Sequence, residues 1–80
     1  MPARKKLLEL RDTRNWTQQQ AVDKLEEKTG ITITKSYYGM IEQGKRTPSL
    51  MHAKAIADLY DTTIEIIFCQ EDNQKLTNTA

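Results

Sequence analysis

Apolar residues recur at steps of three and four along most of this chain, which is the spacing of one face of an α-helix. Four segments show this repeat, and a shorter fifth segment follows them. They are RKKLLELRD, TQQQAVDKLEEKTG, ITKSYYGMIEQGK, TPSLMHAKAIADLYD and IEIIF. The one alternating apolar run, ITIT at 31–34, is too short to predict a strand. The pattern therefore predicts an all-α fold.

Helix boundaries are indicated by capping residues and glycines. Thr17 with Gln20 three residues later forms the sequence pattern of a capping box, in which each side chain bonds the other residue's backbone N–H. Thr34 is a suitable N-cap for the next helix. Gly30 and Gly44 follow the second and third segments, where a left-handed residue commonly ends a helix.

The fourth segment opens with Thr47 and Pro48. We expect Thr47 to cap this helix and Pro48 to take its first position, where a missing N–H has no intrahelical bond to lose. Its inner face is predicted to include Leu50 and Tyr60. Thr63 is expected to cap the short fifth helix.

Two charged residues lie on apolar faces. In the first segment, Arg11 shares a stripe with Leu7 and Leu10. In the third, Glu42 lies near the side that Tyr38 points to, and Tyr38 is expected in the core. A charge on an inner face needs a partner, so each of these two side chains is expected to have one.

Charge is unevenly distributed although its net value is only +1. Residues 1–50 hold ten cations and six acids, whereas residues 51–80 hold two cations and five acids. Such asymmetry fits a domain with one face toward a polyanion, but an ordinary mixed surface explains it equally well. No apolar run is long enough for a membrane span or a signal peptide, so we expect a cytoplasmic protein.

Catalytic and metal-binding patterns are missing from the sequence. Cys69 and His52 are the only residues of their types, so neither an internal disulfide nor a zinc site is expected. No nucleophilic triad, paired acids or phosphate-binding glycine loop is present. The sequence predicts a protein that is not an enzyme and has no cofactor.

Three segments together resemble the phage-repressor-like helix-turn-helix family of the Cro/XRE class. They are LRDTRNWTQQQAVDKL, ITKSYYGMIEQGKRTPS and AKAIADLYDTTIEIIF, and the resemblance covers roughly residues 5–68. It implies a compact five-helix bundle of the lambda-repressor-like type over residues 1–68. The aromatic-free remainder, 69–80, is predicted to be a flexible polar tail. The segment EEKTGIT makes the end of the second helix, or the turn after it, about six residues longer than in the family pattern.

The resemblance also implies that residues 34–43 enter the DNA major groove. Base contacts are then expected from Lys35, Ser36, Tyr37 and Met40. For Tyr37 the alternative is packing against the neighbouring helix, and for Met40 it is simple exposure. Phosphate contacts are expected from Thr17, Gln18, Thr34, Gln43, Lys45 and Arg46. A close approach of DNA to the backbone at Gly39 is a further possibility.

Family positions also imply a structural ion pair between Arg11 and Glu42. A homodimer is expected, with Leu59, Ile66 and Cys69 at its interface and half-sites of the DNA about 34 Å apart. Leu59 is expected on the outer side of its helix. Crowding of these residues against the tail is the alternative.

The function implied is a sequence-specific DNA-binding regulator of transcription, a repressor of phage or mobile-element type. Its partner would be a double-stranded, palindromic operator. The alternative is an antitoxin or adaptor that uses the same fold chiefly to bind a protein. A stoichiometric protein partner would distinguish the second function from the first.

Overall fold

The computed structural model describes residues 3–68, which form five helices and no strand within that range. The helices are α1 (Lys5–Thr13), α2 (Gln18–Thr29), α3 (Lys35–Glu42), α4 (Leu50–Leu59) and α5 (Ile64–Phe68). This confirms the all-α prediction and the five-helix arrangement. Cys69 and the predicted polar tail, 69–80, lie outside the described residues.

The predicted start signals of α2 and α3 are confirmed. Gln20 N donates to Thr17 Oγ1 at 3.0 Å and Thr17 N donates to Gln20 Oε1 at 2.8 Å, so the capping box is complete. Thr34 Oγ1 accepts from Tyr37 N at 3.0 Å. Gly30 ends α2 with φ 78°, a left-handed conformation that glycine adopts without steric cost.

The start of α4 was predicted wrongly. Ser49, rather than Thr47, has the extended backbone of an N-cap, and its Oγ accepts from His52 N at 3.3 Å. Pro48 therefore lies before the helix. Leu50, expected on the inner face, is the first helical residue and is 76% exposed.

The core is formed where α4 packs against α2 and α5, and where α1 and α3 close over them. Tyr38 is fully buried, as predicted, and its hydroxyl lies 2.6 Å from the Tyr60 hydroxyl. Each of these hydroxyls provides the other's hydrogen-bond partner inside an apolar interior. The largest of the fully buried side chains are Tyr38, Tyr60, Leu7, Leu25, Ile41, Ile56 and Glu42.

Leu59 belongs to this core, so its predicted position on the outer side of α4 is wrong. Its side chain is only 4% exposed. α4 is covered on more than one side, since it packs against both α2 and α5. Residues on the flank of its predicted inner face are buried for that reason.

The long connection between α2 and α3 is part helix and part anchored loop. α2 continues to Thr29, which leaves only residues 30–34 between the two helices. Ile33 is 7% exposed, so the loop is pinned to the core. At the end of α2, Lys28 Nζ donates to Asp61 Oδ1 at 2.9 Å, which ties this end to the loop after α4.

Candidate nucleic-acid interface

The residues predicted to contact DNA gather around the outer side of α3. A shallow concavity of about 380 Å³ lies between α3 and the first turn of α2. It is lined by Gln18, Lys35, Ser36, Gly39, Met40 and Gln43. Five of these six were predicted as base or phosphate contacts. Lys35, Ser36 and Gln43 are exposed, whereas Met40 is half-buried.

The predicted ion pair between Arg11 and Glu42 is present in the structure and holds α3 against α1. Arg11 Nε donates to Glu42 Oε2 at 2.6 Å and Arg11 Nη2 donates to Glu42 Oε1 at 3.1 Å. The Glu42 side chain is 1% exposed. A bidentate guanidinium–carboxylate pair fixes relative orientation as well as distance.

Arg11 has further support around this pair. Its Nη1 donates to the backbone carbonyl of Trp16 at 2.8 Å, just before α2 begins. The hydrogen bonds to Glu42 raise the pKa of Arg11 above its usual value, against the opposing effect of burial. The guanidinium therefore connects the end of α1, the entry to α2 and the end of α3.

Gln18 is engaged within the protein through its side-chain amide. Its Nε2 donates to Glu42 Oε1 at 3.0 Å, and the side chain passes over α3 at Gly39. The surface at Gly39 is thus covered by Gln18, and Gly39 is buried. This observation argues against the suggested approach of DNA to the Gly39 backbone. The Gln18 backbone N–H lies in the first turn of α2, where anions are favoured.

Tyr37 packs against α4, which was the alternative to a base contact. Its hydroxyl lies 2.9 Å from His52 Nδ1, and the two rings meet edge to face at 5.3 Å. The guanidinium of Arg46 lies 5.5 Å from the centre of the Tyr37 ring. Tyr37 is half-buried, and its ring contacts both Arg46 and α4.

The loop after α3 presents cationic side chains rather than free backbone donors. Gly44 has φ 77° and turns the chain, after which Lys45 N and Arg46 N both donate to the Met40 carbonyl. The side chains of Lys45 and Arg46 are exposed. Within residues 3–68 neither is paired with a carboxylate.

Thr17 and Thr34 are exposed and stand at the first turns of α2 and α3. Each hydroxyl oxygen already accepts a backbone N–H of its own helix. A threonine hydroxyl that accepts one bond still carries a proton that it can donate. Both residues therefore retain the chemistry for a phosphate contact.

Arg4 is a supporting residue that the sequence pattern did not reveal. Its backbone N donates to the Glu42 carbonyl at 2.8 Å and its Nη1 donates to the Ile41 carbonyl at 3.0 Å. Its guanidinium also lies 5.3 Å from the Phe68 ring. These bonds satisfy carbonyls at the end of α3. Because Arg4 precedes α1, helical periodicity gives no signal for it.

The described residues show neither a metal-binding cluster nor a membrane span. No group of three His, Cys, Asp or Glu side chains in residues 3–68 is arranged to hold a metal ion. No helix in the same range is long and apolar enough to cross a membrane.

Comparison with known proteins agrees with this arrangement. A helix-turn-helix family model matches residues 7–67. The chain is also 37% identical, over 75 residues, to the HTH-type transcriptional regulator AnsR of Bacillus subtilis (strain 168). That match covers 94% of this chain but 60% of the relative, so the chain spans well under the relative's full length. No solved structure matches the chain significantly.

Proposed function

Because this chain belongs to the helix-turn-helix family of the Cro/C1 type, we propose that it is a sequence-specific DNA-binding regulator of transcription. In this proposal α3 enters the major groove and α2 lies across the backbone. The observation that carries it is the concavity beside α3, whose lining combines exposed polar side chains of α3 with the first turn of α2.

Base readout is assigned to the exposed N-terminal turn of α3. Lys35 can donate to guanine O6 and N7, and the Ser36 hydroxyl can donate or accept at any base edge. Met40, half-buried on the same side, can contact a thymine methyl group. Tyr37 is left out of this proposed set because its ring packs edge to face on His52 and its hydroxyl lies 2.9 Å from His52 Nδ1.

Phosphate binding is assigned to groups on both sides of α3. On one side are the hydroxyl of Thr17, the backbone N–H of Gln18 and the hydroxyl of Thr34. On the other side are the side chains of Gln43, Lys45 and Arg46. These contacts carry no sequence information, but they set the register of α3 on the duplex.

A homodimer on a palindromic operator is proposed as the DNA-bound form. The large apolar side chains exposed in residues 3–68 are Leu50 at 76%, Met51 at 61% and Ile66 at 39%. We assign the interface to Ile66 and to the Leu50 region, without the buried Leu59. A two-fold dimer would place two copies of α3 about 34 Å apart, one turn of DNA.

Repression of the phage or mobile-element type is the proposed mode of regulation. The support is the resemblance of SYYGMIEQGKRTPS to phage repressors and the name of the relative, which is a transcriptional regulator. A domain bound at a promoter excludes polymerase by occupying the same DNA. Reporter transcription from a promoter carrying the selected site should fall when the protein is expressed, and a rise would contradict this mode.

A second candidate function is an antitoxin or adaptor that binds another protein. Leu50 borders an apolar groove that also includes Pro48, Ala53, Ile64 and Phe68, and its exposure favours burial by some partner. Purification of the native complex tests this alternative. A stoichiometric foreign protein would favour it, whereas a second copy of this chain would favour the homodimer.

The proposed function is tested by selecting bound sequences from random duplex DNA and titrating binding against salt. Lys45→Ala should weaken binding to all duplexes alike and lower the slope of log K against log salt by about 0.9, the value for one phosphate contact. Ser36→Ala should instead change the preferred sequence. Lys54→Ala, an exposed cation paired with Asp58 on α4, is the control.

Binding that is indifferent to ionic strength would contradict the phosphate contacts. If both substitutions changed affinity without changing sequence preference, the division between readout and anchoring residues would be wrong.

A further inference from the structure

The Gln18 amide connects α2 to a buried carboxylate at the far end of α3. A carboxylate can only accept hydrogen bonds, so the Gln18 Nε2 must face Glu42 and the amide orientation is set by chemistry. Gln18 Oε1 has no hydrogen-bond partner in residues 3–68. Every buried polar side-chain atom in residues 3–68 has a hydrogen-bond partner. Because Gln18 Oε1 has none in that range, it must be exposed to solvent.

Gly39 provides the space that this amide occupies. A Cβ at position 39 would lie 3.2 Å from Gln18 Oε1 and 3.4 Å from Gln18 Nε2. The first distance is closer than most contacts of this kind, so an alanine would require the amide to shift by a few tenths of an ångström and would strain its bond to Glu42. Glycine is unfavourable in the middle of a helix, and its backbone here is ordinary helix. Space for Gln18 is the physical reason for it.

Three helices meet through Glu42. Arg11 brings α1 to its carboxylate with two hydrogen bonds, and Gln18 brings the first turn of α2 with a third. Without Gln18 the network still reaches the entry to α2 through the Arg11 bond to the Trp16 carbonyl. Within residues 3–68, however, the Gln18 bond is the only hydrogen bond that joins a residue of α2 to a residue of α3, so it adds a directional contact to their packing.

We propose that Gln18 and Gly39 form a positioning lock that determines sequence discrimination. This inference depends on the proposed function, in which the first turn of α2 grips phosphate while α3 reads bases. The phosphate contacts of α2 and the base contacts of α3 can form together only if the two helices keep a constant separation and angle. A loosened lock lets α3 shift against the bases while the phosphate contacts persist.

The lock is tested with Gln18→Ala, Gly39→Ala and the double variant. The Kd is measured for the selected duplex and for an unrelated duplex of equal length. Each single substitution should reduce the ratio of the two Kd values about tenfold, comparable to losing one base contact, and leave the unrelated duplex unaffected. The double variant should be no worse than either single one, because both remove the same interaction.

Two further variants separate the hydrogen bond from packing and from general effects. Gln18→Met keeps the side-chain length but loses the amide, so it should lose discrimination like Gln18→Ala. Gln19→Ala removes the neighbouring amide, which bonds the exposed Asp23 on its own helix, and should leave the ratio unchanged. Thermal unfolding of every variant identifies any that fail to fold. If Gly39→Ala fails to fold, Gln18→Met provides the test instead.

The outcomes separate this inference from the proposed function. Equal weakening of both duplexes by Gln18→Ala would show that the amide grips phosphate, and an unchanged ratio would show that it positions nothing. Either result overturns the lock while the proposed function stands. A wild-type protein without sequence preference would overturn the proposed function itself. In that case the lock is judged by unfolding, where additive effects of the two single substitutions would contradict it.

Discussion

Glu42 is the residue on which the geometry of the candidate interface most depends. It is a charge almost completely removed from water, and it is stable there because three hydrogen bonds from Arg11 and Gln18 surround its carboxylate. A buried ion pair adds little net stability compared with an apolar substitute, but breaking one is costly. The pair therefore acts mainly on orientation.

Arg11→Ala should destabilise the fold by about 3 kcal/mol, because it leaves the Glu42 carboxylate buried without its cation. Lys54→Ala is the matched control, since it breaks the exposed pair with Asp58 and should cost less than about 1 kcal/mol. Urea unfolding followed by circular dichroism measures both. Equal losses in the two variants would mean that Glu42 does not need Arg11.

Among the helices, the shortness of α3 makes its ends important. Its eight residues include a central glycine, so isolated helix formation is unfavourable and packing must supply the stability. Thr34 caps its start, and Arg4 satisfies carbonyls at its end. The preceding loop, residues 30–34, is anchored to the core by the buried Ile33.

The start of α4 allows a direct test of its cap. Ser49→Ala should lower the free energy of unfolding by about 1 kcal/mol, because the His52 backbone N–H loses its acceptor. Thr47→Ala, two residues earlier and exposed, should change it by less than about 0.5 kcal/mol. Urea denaturation of both variants decides between them. The reverse order would restore Thr47 as the cap.

The molecule as a whole is small, and a few buried groups have a large share in its stability. Burial raises the pKa of Tyr60 to about 12 and raises the pKa of Tyr38 further. Their hydroxyls are bonded to each other in the core. Ionising either hydroxyl inside the core therefore costs stability.

Stability should fall as the pH rises from about 10 to 12. An unfolded tyrosine ionises near pH 10, while Tyr60 in the fold holds its proton to about 12. The contribution is complete below pH 10 and is lost above it, at about 1.4 kcal/mol per pH unit for each tyrosine. Urea unfolding across this range measures the slope. Tyr60→Phe should reduce it, and an unchanged slope would contradict the assignment.

The proposed dimer is tested by comparing Leu59 with Leu50. Leu59→Ala should cost about 3 kcal/mol of monomer stability, since it opens a cavity in the core. Leu50→Glu should leave monomer unfolding nearly unchanged but weaken self-association, as should a charge at Ile66. Sedimentation equilibrium and urea unfolding give the two readouts. An unaltered association constant for Leu50→Glu and Ile66→Lys would remove both residues from the interface.

Features that depend on a few neighbouring residues could be predicted from the sequence. The capping box at Thr17, the Thr34 cap, the turn at Gly30 and the helical stripes are local, because one or two turns of chain determine them. The Arg11–Glu42 pair was also accessible, since a charge on an inner face needs a partner and the family resemblance implies that these two positions pair. The predicted DNA-contact residues follow from the family resemblance, and their roles stay predictions.

The remaining features required the packed molecule. Whether Leu59 faces solvent depends on how many neighbours cover α4. The helix begins two residues later than predicted, and Leu50, now its first residue, is exposed. The contact between Tyr37 and His52 joins two different helices, and the helical periodicity of the sequence gives no signal for it. The sequence suggested a close approach of DNA at Gly39, but the side chain of Gln18 covers that surface. Long-range contacts decide these cases, because the side chain that fills a space comes from a distant part of the chain.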